Sequence, residues 1–109
     1  MIYKNLFSQF KRELIKTFSG ISHKSIVCEN TYTLIIQTDK DLITGQLLTI
    51  AILAKKYHLM PQQTDHFAQW VGDTYMEIHS VNDQCYLHFT HNNAQRMLII
   101  TWYGNSQNL

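Results

Sequence analysis

The sequence predicts an α+β domain, one five-stranded antiparallel sheet with helices on its faces. Three observations lead there. Apolar residues recur at helical spacing in the N-terminal segment and again in the middle of the chain. Runs of β-branched and aromatic residues, broken by Asn- and Asp-containing turns, lie between and after those segments. The 109 residues fit one domain, and 45% hydrophobic with 12% aromatic content excludes a disordered chain. The expected layout is a domain over 1–103 and a frayed polar tail over 104–109.

Met1 to Ser19 reads as an amphipathic helix. Leu6, Phe7, Phe10, Leu14 and Phe18 share its apolar stripe, and Gly20 is placed to end it in a left-handed conformation. Lys24–Asn30 and Tyr32–Thr38 read as strands through Ile26, Val27, Tyr32, Thr33, Ile35 and Ile36. The short connection at Glu29, Asn30 and Thr31 predicts an antiparallel hairpin.

Asp39 or Asp41 is suited to cap the next helix, expected over Leu42–His58. Ile43, Leu47, Ile50, Ala51 and Ala54 form its main stripe. Leu42, Leu48, Ile52 and Leu53 fall outside that stripe. A helix with its back in water needs one stripe only, so the second set predicts cover on another side. Gly45 costs helix propensity of about 1 kcal/mol relative to Ala, which a close helix approach would explain. Pro61 closes the region. A short helix over Thr64–Val71 is expected, anchored by Phe67, Trp70 and Val71 at i, i+3, i+4 and ended by Gly72 and Asp73.

Three strands then follow: Thr74–Ser80, Gln84–Thr90 and Arg96–Tyr103, with turns at Asn82-Asp83 and Asn92-Asn93. Met97-Leu98-Ile99-Ile100 is apolar on both faces, which predicts a central last strand covered on both sides.

Charged residues make up only 16% of the chain, below the roughly 25% usual for soluble domains. The shortfall predicts that part of the surface is covered, most economically by a second copy. Net charge is +1, and Lys4, Lys11, Arg12 and Lys16 on the first helix read as a solvated face, so no nucleic-acid partner is expected. Cys28 and Cys85 are too few for a disulfide framework and read as small buried hydrophobes. Neither a signal-peptide stretch nor an apolar run near ~20 residues occurs, so the expected location is the cytoplasm, away from membranes.

Local chemistry is sparse. Cys85, His88 and His91 tempt as metal ligands. On a strand, however, Cys85 and His91 share a face roughly 20 Å apart, too far to converge on one ion. His58 and His66 flank the Pro61 turn and could meet, yet no closed ligand set emerges. Neither cysteine lies at a helix start, no serine sits in a nucleophile elbow, and the four glycines are scattered. Asp39 and Asp41 suit capping better than paired acid–base work. The expectation is a protein-binding module with no metal, no cofactor and no catalytic set.

The order of elements, and in particular Tyr75-Met-Glu-Ile-His-Ser through Cys85-Tyr-Leu-His-Phe to Met97-Leu-Ile-Ile, resembles the roadblock / dynein light chain family of profilin-like folds. The resemblance covers Met1 to Tyr103. It implies a homodimer, or a heterodimer with a paralogous chain, formed through the central helix and the first strand of the meander. It also implies service as a platform for a small Ras-like GTPase. Carried onto this chain, Leu48, Ile52 and Leu53 would pack on the other protomer. The strand Thr74–Ser80, with Tyr75, Glu77 and His79, would supply a backbone edge. Two other readings stay open. One is a dimeric secretion chaperone holding an effector segment. The other is a small-molecule sensor or enzyme with a pocket lined by residues such as Tyr32, Tyr75 and His79.

Overall fold

A computed structural model describes residues 2–18, 20–28, 31–81 and 84–104, with the side chains of residues 2, 3, 20, 21 and 84–86 outside that description. In chain order the elements are α1 (Ile2–Phe18), β1 (Gly20–Cys28), β2 (Thr31–Thr38), α2 (Thr44–Leu47), α3 (Thr49–Lys56), β3 (Asp65–Val71), β4 (Thr74–Val81), β5 (Gln84–Asn92) and β6 (Met97–Tyr103). The α+β class and the antiparallel sheet agree with the sequence reading. The strand count does not: the sheet has six strands, in the order β1-β2-β6-β5-β4-β3.

The extra strand is β3, the segment expected as a short helix. Phe67, Trp70 and Val71 fit helical spacing, but Gly72-Asp73 is also a two-residue hairpin connection. Gly72 takes φ +59°, a left-handed turn conformation open to glycine without strain. The chain therefore folds back, pairing Val71 with Thr74 and continuing to Asp65 opposite Ser80. Four strands in a meander result, and the β1–β2 hairpin joins them through β2 against β6.

Alternation along the strands gives the sheet two unlike faces. Tyr32, Leu34 and Ile36 of β2, Leu98, Ile100 and Trp102 of β6, and Leu87 and Phe89 of β5 are buried beneath the helices. From α1 come Phe7, Phe10, Leu14 and Phe18. From α2 and α3 come Leu47, Ile50, Ala51, Leu53 and Ala54. Phe7 lies over Tyr32 at 5.0 Å between centroids, and Tyr32 meets Trp102 at 5.4 Å. On the other face Met97, Ile99 and Thr101 stay partly exposed. β6 is thus central, as expected, but covered by helices on one side only.

Further corrections concern the middle helix and its neighbours. It is divided at Leu48 into α2 and α3, and starts at Thr44, too far along for Asp39 or Asp41 to cap. Gln46 does that work: its Oε1 accepts from the Ile43 N–H at 3.0 Å. Asp41 instead faces Arg96 Nε at 3.4 Å. Leu42 belongs to the core while Ile43 is exposed. A Cβ at Gly45 would meet nothing within 4 Å, so no close approach within the chain accounts for that glycine. Gly20 opens β1 opposite Thr38 instead of ending α1. Cys28 is an exposed free thiol rather than a buried hydrophobe, because β1 is an edge strand that the helices do not cover. The Cys85 side chain, the turns at 29–30 and 82–83, and tail residues 105–109 lie outside the described residues.

Trp102 anchors the connection between α3 and β3. Its indole Nε1 donates to the Leu59 carbonyl, and Leu59 and Met60 are buried beside it. Gly104 lies against the same ring: a Cβ there would overlap the six-membered ring of Trp102. Gly104→Ala is therefore expected to destabilise by about 1–3 kcal/mol, the usual cost of overpacking. A urea midpoint unchanged from the natural protein would contradict this.

Candidate functional site

Two features stand apart from ordinary core packing, and both involve β3. The first is an exposed apolar surface. Leu48 and Ile52 lie one helical turn apart and are 39% and 64% exposed, with Ile43 exposed just before α2. Trp70 reaches this helix from the sheet, its Nε1 donating to Thr44 Oγ1 at 3.1 Å. β3 ends the sheet with only β4 beside it, so its outer backbone edge is unpaired. It is apolar on both sides, since Phe67 and Val71 project from the face opposite Trp70 and are 51% and 55% exposed.

The second feature is a buried polar cluster on the helix side of β3 and β4. Glu77 is fully buried. Residues two apart on a strand share a face, so Tyr75, Glu77 and His79 point together. Directly paired residues share it too, which adds His66 opposite His79 and leaves small Ala68 opposite Glu77. Glu77 Oε2 accepts from the Tyr75 hydroxyl at 2.9 Å. Glu77 Oε1 faces His79 Nε2 at 2.9 Å and His66 Nε2 at 3.2 Å. His79 Nδ1 lies 3.2 Å from Thr64 Oγ1. The two imidazoles stack with centroids 4.8 Å apart and planes within 6°. Burial, with help from the Glu77 carboxylate, pushes the Tyr75 hydroxyl up to about 12, so it stays a neutral donor at physiological pH. His66, Glu77 and His79 offer ligand atoms all within 4.8 Å of one another, close enough to hold a metal ion.

The residues expected at an interface are thus divided. Leu48 and Ile52 are on the surface. Leu53 is in the core, on the other side of α3. Tyr75, Glu77 and His79 face inward, and β4 has both edges occupied, by β3 and β5. The strand Thr74–Ser80 therefore cannot lend its backbone to another chain, and the free edge at this end of the sheet belongs to β3. Reading Thr64–Val71 as a helix hid this, along with His66, Phe67, Trp70 and Val71 as a group. The Gly72-Asp73 pair was the available signal. His88 and His91 lie on opposite faces of β5 and do not converge. His58, for its part, is not in the His66 cluster.

His91 is buried, with Nε2 3.3 Å from Thr38 Oγ1. Burial lowers its pKa below the ordinary 6.5, offset in part by Asn93 and Asp41, and burial likewise lowers that of His88. Both rings bind protons less readily folded than unfolded. The stability they contribute is complete above the unfolded value near 6.5 and is lost as pH falls from there through the lowered folded values. Urea unfolding is expected to show declining stability from pH about 6.5 downward, with a shallower decline in His91→Gln. An identical slope in that variant would remove His91 from the account.

A shallow cleft of about 590 Å³ beside α1, lined by Arg12, Glu13, Lys16 and Tyr57 among others, is separate from both features. No described helix is long and apolar enough to cross a membrane. No family model, curated protein or solved structure matches the chain.

Proposed function

We propose that this chain is a non-catalytic protein-interaction module that pairs with a second copy of itself through α2, α3 and the β3 edge. The observation that carries this is the free apolar edge strand beside an exposed apolar helix face. A flat, hydrophobic edge is avoided or covered in monomeric proteins because it templates pairing with another chain. Antiparallel pairing of β3 with its copy would extend the sheet across two chains. Ile43, Leu48 and Ile52 would then meet their counterparts. The 16% charged content fits a surface that is partly covered.

The resemblance to the roadblock family supplies the partner class, a small Ras-like GTPase docked on the dimer. The resemblance places the interface strand at Thr74–Ser80; since β4 is paired on both sides, the proposed pairing uses its outer neighbour β3 instead. An exposed free thiol at Cys28 suits a reducing compartment such as the cytoplasm.

Sedimentation velocity over a concentration series tests the self-association, and dimers that dissociate on dilution or persist throughout are the expected result. A monomer at all concentrations would overturn it. Affinity capture with GTPase loaded with GDP or a GTP analogue tests the partner. Nucleotide-dependent retention supports it, and recovery of a secreted effector segment instead would assign the chain to the chaperone class.

A further inference from the structure

We propose that His66, Glu77 and His79 form a binding site for one divalent first-row transition ion, zinc by its donor set, at the β3 edge of the sheet. Two imidazoles and one carboxylate are a recurrent ligand set for zinc with an open coordination position. Ligands about 2.0–2.2 Å from one ion stand about 3.0–3.5 Å from each other. Glu77 Oε1 stands 2.9 Å from His79 Nε2 and 3.2 Å from His66 Nε2, and the three ligand atoms lie within 4.8 Å of one another, so a turn of the two stacked rings toward the carboxylate would bring both nitrogens onto one ion.

The surroundings point the same way. Ligating histidines characteristically place their second ring nitrogen on a hydrogen-bond partner, and ligating carboxylates are themselves hydrogen-bonded. Here Thr64 Oγ1 meets His79 Nδ1, and the Tyr75 hydroxyl occupies Glu77 Oε2, leaving Oε1 turned to the two rings. Glu77 is fully buried, and among the described residues its charged partners are these histidines, with no Lys or Arg. A buried carboxylate of this kind needs a compensating charge, and a dication supplies it. Ala68 opposite Glu77 keeps the space over the carboxylate free of a long side chain. The His66 side chain is 46% exposed, which gives the ion a path in and a coordination position facing water.

The site does not depend on the dimer, so the experiment is run on the full chain and on Ile52→Asp alike. Protein stripped with a chelator is titrated with Zn²⁺ by calorimetry and with Co²⁺ by visible absorption. One equivalent per chain is expected, with cobalt bands of a four- or five-coordinate site. His66→Ala sits at the exposed edge and should fold normally, yet weaken binding at least about 10-fold. Tyr75→Phe removes only an outer-shell donor and should weaken it about 10- to 100-fold. Absence of saturable binding to the natural chain would overturn the proposal. So would a folded His66→Ala with unchanged affinity and an unchanged cobalt spectrum, since the ion would then sit on other histidines.

Discussion

Ile52→Asp is expected to convert the proposed dimer into a folded, soluble monomer. Ile52 is 64% exposed in the single chain, so a carboxylate there is solvated and costs the fold little. In the proposed dimer the same carboxylate would be desolvated against apolar side chains of its copy. An unpaired buried charge costs several kcal/mol. Even about 3 kcal/mol raises the dissociation constant more than about 100-fold. Leu48→Asp, one turn away on the same face, should act likewise. Leu53→Asp is the informative contrast. Leu53 is part of the core, so its charge should unfold the chain instead of separating two folded ones. Light scattering after size exclusion, with circular dichroism on the same fractions, separates these outcomes. Natural-like dimers in both surface variants would falsify the α2–α3 face as the interface.

Trp102→Ala is expected to be the most damaging single change in the core, costing about 3–5 kcal/mol. Much of a small domain's total stability is of that size. Trp102 is almost completely buried, packs on Tyr32 and donates to the Leu59 carbonyl. Trp102→Phe removes the indole donor together with part of the ring volume. It keeps an aromatic ring and leaves the Leu59 carbonyl without its indole donor, at about 1–3 kcal/mol. Leu59 and Met60 lead into β3, so that variant should also loosen the edge strand. Amide exchange across Asp65–Val71 that is faster than in the natural protein, with β2 little changed, is the expected signature. Unchanged exchange of β3 in the variant would show that the indole does not hold β3 in place.

The legibility of the fold varied with how local each determinant was. α1 was readable because its stripe of Phe7, Phe10, Leu14 and Phe18 meets the sheet without interruption. β2, β4 and β6 were readable because one face is buried and residues alternate along them. β3 was not, because an edge strand exposed on every residue carries no burial alternation to impress on its sequence. Phe67, Trp70 and Val71 then satisfied a helical template by spacing alone. That one misassignment also concealed the His66–Glu77–His79 cluster. Glu77 and His79 could be placed on one face from their spacing, but His66 joins them only through the register of β3 against β4.

The sequence by itself determined the α+β class, the N-terminal helix, the hairpin, the apolar surplus around Leu48 and Ile52, and the alternation of most strands. These follow from periodicity and turn chemistry, which act over a few residues. Only the tertiary structure decided which strands are the edges, that Leu53 is core while Ile52 is surface, that Asp41 serves Arg96 instead of a helix, and that two histidines meet one buried carboxylate. Those outcomes depend on strand register and on which face each helix turns to the sheet, and both are settled by contacts between residues distant in the chain.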